Sequence, residues 1–318
     1  MDTNPTSFSA AERVRATAWK AITPTLADAD RRPAPYRGRG KHLYPFCLPP
    51  DSSLLNLLPD VREGAMALFG DLGIPWHAGV NGGPTNHLLS SQVQCVNALW
   101  RMVADPQRLR AAFGGVLDID EVLEIEDGRS LTFEYIGPTD YFGEAKKGVR
   151  TRGSQCTSVD AAFLFRTSRG TTELALVEWK YTEHYRRRTV DPKKDEIRRQ
   201  RYQAALQRSD SPIDWRLMPF ERFLDEPFYQ LMRQQLLAAE LERDRVLGAD
   251  AVRVVHVHPA ANLAYQESMH HPEQRGLGTT VAEVWQRLLT RLDRYTELDN
   301  DVFLDPAITS SEYVARYG

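Results

Sequence analysis

Three residues near the middle of the chain combine reactive chemistry with a spacing that can focus it: Asp160, Glu178 and Lys180. Asp160 interrupts the apolar run VDAAFLF, and Glu178 and Lys180 stand two apart in ELALVEWKY. Both runs read as β-strands, over 158–166 and 173–181. The residues TSRGTT between them read as a turn, so the pair is expected to form a hairpin. Side chains alternate along a strand, so Leu174, Leu176, Glu178 and Lys180 share one face. The opposite face, Ala175, Val177, Trp179 and Tyr181, is also apolar, which marks a strand buried on both sides until its end. Charges in such a strand are disfavoured, and costly when buried unpaired. Register decides whether they meet. One register sets Asp160 directly across from Glu178. A second sets it across from Lys180 and diagonal to Glu178. Both place the three side chains on one face, whereas a slip of one residue separates them.

Two carboxylates at cross-strand distance repel, and one must take up a proton unless a cation sits between them. A hard divalent ion such as Mg2+ or Mn2+ resolves the conflict, accepting oxygen from both and keeping waters for a phosphate substrate. Lys180 would then stand beside the ion, where it can orient an attacking water or balance charge on a phosphoryl oxygen. The structural alternative is a half-buried Asp/Glu/Lys cluster that holds the end of the sheet together without an ion.

The elements that must position these residues are readable in outline. Residues 1–75 read as an arm, with helices over 10–21 and 58–69 joined by a Pro/Arg-rich linker over 31–50. Leu89, Val93, Val96, Leu99, Trp100 and Val103 recur at helical spacing, which predicts a helix over 88–103. SLTFEYIG over 130–137 is a third strand. Pro192 opens a basic amphipathic helix over 192–208, and further helices are expected over 228–247 and 280–294, with a strand over 251–256. The division this suggests is an arm over 1–75, a core over 76–260 and a helical extension over 261–318.

In this order the residues resemble the PD-(D/E)XK nuclease superfamily, the restriction-endonuclease-like fold. Ser158-Val159-Asp160 and Glu178-Trp179-Lys180 stand where its motif stands, and the helix at 88–103, the three strands, the helix at 192–208 and the next strand follow its αβββαβ order. The resemblance covers about residues 85–258. TSVDAAF, LVEWKYTEHY and NHLLSSQVQCVNAL look like one bacterial subgroup of nuclease-like proteins. It implies an α/β fold, a mixed sheet flanked by helices, with an N-terminal arm and a C-terminal helical extension. It also implies a Mg2+-dependent nuclease in a restriction, repair or phage-defence setting, cutting DNA in preference to RNA. Asp160, Glu178 and the backbone carbonyl of Trp179 would hold the metal, Lys180 would help activate water, and the products would carry 5'-phosphate and 3'-hydroxyl ends. The helix at 88–103 departs from the family in having no acid. Its polar residues include Ser91, Gln92 and Asn97, and Glu134 or Glu144 could take the missing glutamate's place. The Gln-x-x-x-Tyr pattern of some recombination nucleases is also absent, since Gln200 and Tyr202 are two apart.

Charge distribution fits a nucleic-acid partner better than net charge does. The whole chain carries −3, yet 186–201 holds eight basic residues against three acids. Of these, Arg186, Arg187, Arg188, Arg198, Arg199 and Arg201 are the expected phosphate contacts, unless the run is simply a solvated helix face. A second basic stretch, RRPAPYRGRGKH over 31–42, contains no acid. Tyr181, Tyr185 and Tyr202 can stack bases or, as is commoner, pack the helix onto the sheet. Gln92, Glu144, Tyr202, Gln230, Arg233 and Gln234 are candidates to line the cleft. His256 and His258 suggest zinc only weakly, because no cysteine or further acid stands nearby in sequence. Phosphate-loop, dinucleotide-binding, zincin and serine-hydrolase signatures are absent. The three scattered cysteines fit neither a disulfide framework nor a zinc knuckle, and no apolar run is long enough to span a membrane. A reduced cytoplasmic protein is therefore expected, with a homodimer allowed. The rival to a nuclease is a catalytically silent nucleic-acid-binding or scaffold protein of the same fold.

Overall fold

The computed structural model describes residues 7–318; the first six residues of the expected arm lie outside the described residues. Ser7 caps α1 (Phe8–Ile22) through the Ala10 N–H, and α2 (Pro59–Asp71) starts with proline in its first turn. The apolar period at 88–103 begins before its helix does. Ser90 accepts from the Val93 N–H and starts α3 (Ser91–Leu99), which then tightens into a 3-10 turn, Trp100–Val103. After α4 (Pro106–Phe113) come β1 (Glu121–Leu123), β2 (Thr132–Tyr135), β3 (Val159–Arg166) and β4 (Thr172–Trp179). Asp191 caps α5 (Pro192–Leu206) through the Lys194 N–H. A single turn, α6 (Phe220–Phe223), leads into α7 (Phe228–Arg243), followed by β5 (Ala251–His258) and β6 (Tyr295–Asp299).

The six strands make one mixed sheet. β1 and β2 both pair with β3, followed in order by β4, β5 and β6. Pairing with β3 is antiparallel, and β4, β5 and β6 run parallel to one another. The predicted αβββαβ order is present as α3, β2, β3, β4, α5 and β5, within a restriction-endonuclease-like mixed sheet flanked by helices. Side chains on one sheet face, including Phe163, Val177 and Val255, pack against α1 to α4 and the C-terminal helix Ser311–Tyr317. Those on the other, including Leu164, Leu176 and Val254, pack against α5, α6, α7 and the helix Val281–Leu288. β4 is thus buried on both sides, and each of its large apolar side chains contributes roughly 1.5–3 kcal/mol.

Several elements differ from the sequence reading. The strand expected over 130–137 is shortened to β2, whose Glu134 has φ 48°, and the chain turns away at Gly137 with φ 68°. Helix 228–247 ends at Arg243, because Arg245 and Leu247 take left-handed φ of 48° and 56°. Helix 280–294 stops at Leu288, where its buried stripe of Val281, Val284, Trp285 and Leu288 ends. The chain then supplies β6, which no sequence pattern had suggested. The N-terminal arm does not stand apart from the sheet: Trp19 and Val61 join the core below it, and the Tyr181 hydroxyl donates to Glu12 of α1. Among the described residues no helix is long and apolar enough to cross a membrane. All three cysteines are buried and free.

Candidate active site

The β3–β4 register pairs Ala161 with Val177 and Ala162 with Leu176, and one further rung carries Asp160 across from Glu178. This is the first of the two registers that bring the charged residues onto one face. The β2–β3 register pairs Phe133 with Ala161 and Tyr135 with Val159, which brackets Glu134 against Asp160. Glu134, Asp160 and Glu178 therefore occupy one row across three strands, about 4.8 Å apart from strand to strand. Lys180 follows β4 directly, its backbone N–H donating to the Val257 carbonyl, 2.8 Å. Its ammonium donates to Glu178 Oε1 and to Gln230 Oε1 of α7, the latter at 2.7 Å.

Each carboxylate is held by a different element. Gln92 of α3 donates to Glu134 Oε1 at 3.0 Å, and the Ser158 hydroxyl donates to Oε2 at 3.0 Å. The acid-free helix thus supplies a glutamine that holds a glutamate from the sheet. Glu134 itself keeps a left-handed φ inside a strand, a strained conformation of the kind that collects at functional sites. Gly153, with φ +67°, lies against it so closely that an added Cβ would stand 2.9 Å from the Glu134 carboxyl carbon. Asp160 Oδ2 accepts from the Trp179 backbone N–H at 2.7 Å, and the Trp179 indole donates to Gln94 of α3 at 3.0 Å. Gln234 of α7 donates to Glu178 Oε2.

Electrostatics follow from crowding anions where little water reaches. Glu134 is pushed from its ordinary 4.5 to about 7, chiefly by burial and further by the Glu178 charge, against the hydrogen bonds from Gln92 and Ser158. Asp160 is raised well above the usual carboxylate range by burial first, then by Glu178 and Glu134. Burial opposes the charge on Lys180, but Glu178, with smaller help from Tyr185, Tyr265 and Asp160, keeps it protonated well beyond the ordinary lysine range. One ammonium therefore serves three carboxyl groups. Gln234 Oε1 adds a buried oxygen without a hydrogen-bond partner beside them. This all-oxygen donor set with an excess of anions suits a hard divalent cation.

A pocket of about 370 Å³ opens beside this row. Its wall includes Ser158 and Gln234, which hold Glu134 and Glu178, together with Arg201, Tyr202, Gln230 and Arg233. Glu144 lies on the same wall, away from the carboxylate row. It accepts from the Thr157 N–H at 2.7 Å and from Arg233 at 3.3 Å, and also from the Tyr202 hydroxyl. Tyr202 and Tyr181 are buried and pack as core residues.

The basic segment divides in two. Arg188 bridges Asp195 (2.8 Å) and Asp225 (3.2 Å), Arg198 pairs with Asp195 (3.3 Å), and Arg199 pairs with Glu221 (2.5 Å). Arg188 and Arg199 fasten α5 to its surroundings, and Arg198, paired within α5, lies over the Tyr229 ring of α7 at 4.5 Å. Arg186 and Arg187 are exposed, and Arg201 lines the pocket. Sequence reasoning did not foresee that Gln230 and Gln234 would grip Lys180 and Glu178, although their spacing on one helix face, with Arg233 between, was visible.

Over residues 13–318 the chain matches the family described as Restriction Endonuclease associating with ARP. No curated protein and no solved structure matches it.

Proposed function

The chain belongs to the family Restriction Endonuclease associating with ARP, and from that premise we propose that it is a metal-dependent nuclease hydrolysing phosphodiester bonds of DNA. An endonuclease serving restriction, repair or phage defence fits the family best. The observation that carries this reading is the convergence of Glu134, Asp160 and Glu178 on one row of the sheet, with the Lys180 ammonium bound to Glu178, next to a polar pocket lined with arginine.

Asp160, Glu178 and the Trp179 carbonyl would hold Mg2+ or Mn2+, with Glu134 as a further carboxylate. Bound there, the ion would supply Lewis-acid stabilisation of charge on the phosphoryl oxygens. The remaining work belongs to the protein. Lys180, released from Glu178, can donate to a phosphoryl oxygen or orient the attacking water. Gln230 keeps its ammonium aimed, and Gln234 fixes Glu178. Arg201 and Arg233 bring positive charge to the pocket wall, where backbone phosphates would be neutralised without sequence choice. Exposed Arg186 and Arg187 extend this surface.

A nicking assay on supercoiled DNA with Mg2+ or Mn2+ tests the reading, comparing the native chain with Asp160→Asn and Lys180→Ala. Cleavage by the native chain, lost in both variants and abolished by chelator, is expected. Nucleic-acid binding without cleavage of any DNA or RNA form would replace the nuclease with a silent binding scaffold.

A further inference from the structure

Beyond the nuclease centre, the same row continues. β4 pairs with β5 so that Glu178 lies beside His256, and β5 pairs with β6 so that His256 lies beside Glu297. His258 stands two residues along β5 from His256, and Tyr295 two residues before Glu297, so all four side chains leave one sheet face. We propose that His256, His258 and Glu297, completed by the Tyr295 hydroxyl, form a second metal site, for Zn2+ or a similar borderline divalent ion.

The ligand atoms of the two histidines and Glu297 already lie within 4.8 Å of one another, the one such group among the described residues. Three of the distances among the four donors are shorter. His258 Nε2 is 3.5 Å from Glu297 Oε1, Tyr295 Oη is 3.0 Å from His256 Nδ1, and Tyr295 Oη is 3.1 Å from Glu297 Oε1. Metal bonds of about 2.0–2.1 Å in a tetrahedral zinc site put neighbouring ligand atoms roughly 3.3–3.4 Å apart. Closing the site thus asks for small side-chain movements and no change in register.

The surroundings suit ligation. Tyr265 Oη lies 2.9 Å from His256 Nε2, the outer contact that orients a metal-binding imidazole. His258 is buried, yet its protein contacts are long: 3.3–3.4 Å to the Gln266 amide and 3.5 Å to the Pro259 carbonyl. Its bonding capacity is largely unspent. Two imidazoles and one carboxylate favour zinc over magnesium, and their origin on two strands means the ion would tie β6 to β5.

Chelator-treated protein titrated with Zn2+ alone, then with Co2+ as a spectroscopic substitute, provides the test. One Zn2+ per chain should remain after gel filtration, and Co2+ should give the strong visible absorption of a four-coordinate site. Asp160→Ala should keep this ion, whereas His258→Ala and Glu297→Gln should weaken it by about 100-fold or more. Glu297→Gln preserves shape and decides the matter if His258→Ala does not fold. Three results would overturn the site: no zinc held at micromolar concentration, full affinity in Glu297→Gln, or loss of the ion in Asp160→Ala, which would assign it to the carboxylate centre. Because the readout is binding, it stands or fails independently of DNA cleavage.

Discussion

Replacing Glu134 by glutamine isolates the cost of burying a third carboxylate in the row, to which the Glu178 charge adds. The amide keeps the shape, accepts from Gln92 through its oxygen, and donates to Ser158 in place of the reverse bond. What disappears is a proton that the folded chain holds more tightly than the unfolded one. Glu134 titrates near its ordinary 4.5 when unfolded and at about 7 when folded. Below the lower value both forms are protonated and the group contributes nothing. As pH rises from the lower value to the upper, the unfolded chain loses its proton first, and folding becomes progressively less favourable. Above both values the cost is constant, at about 3 kcal/mol from 1.36 kcal/mol per pH unit. Urea unfolding in chelator at pH 4.5 and pH 8 reads this directly. The native chain should lose about 3 kcal/mol more than Glu134→Gln between the two. Saturating Mg2+ should offset much of the native loss, by binding the ionised carboxylates. Equal pH dependence in native and variant proteins would refute the argument from a buried, charge-flanked carboxylate and, with it, the claim that this row seeks a cation.

Lys180→Met should destabilise the fold by roughly 3–5 kcal/mol in thermal or urea unfolding at neutral pH, because it leaves Glu178 buried without its cation. It should also abolish nicking at every Mg2+ concentration. Gly153→Ala should cost about 1–2 kcal/mol for its left-handed backbone and raise the Mg2+ concentration needed for half-maximal cleavage, since the new methyl displaces Glu134. Arg188→Ala and Arg201→Ala should part company. The first removes a bridge between Asp195 and Asp225 and should lower the melting temperature. The second should weaken DNA binding and flatten the plot of log affinity against log salt by about 0.9 for each phosphate no longer neutralised. A stable Arg188→Ala protein with the larger binding defect would reverse this assignment.

The α/β character, the β3–β4 hairpin, its Asp160, Glu178 and Lys180 on one face, and the basic helix after it were all legible in the sequence. Each is a local matter: strand alternation, a short turn and a helical period act over a few residues, and turn length limits the register. Three things were not local. Glu134 reached the site only because β2 lies antiparallel along β3 and its backbone turns left-handed there. Gln230 and Gln234 reached it because α7 docks across the sheet, and nothing in their own segment records which strand they will meet. His256 and His258 looked isolated in sequence. Their acid, Glu297, comes from a strand that no sequence pattern had suggested, just past the expected helix over 280–294, and parallel pairing joins chain segments with no turn between them to announce the partnership. The sequence alone therefore determined which charges share a hairpin, whereas only the packing of distant segments decided what surrounds them. Docking energy is spread over many apolar contacts, none of which marks the polar residue it carries into place.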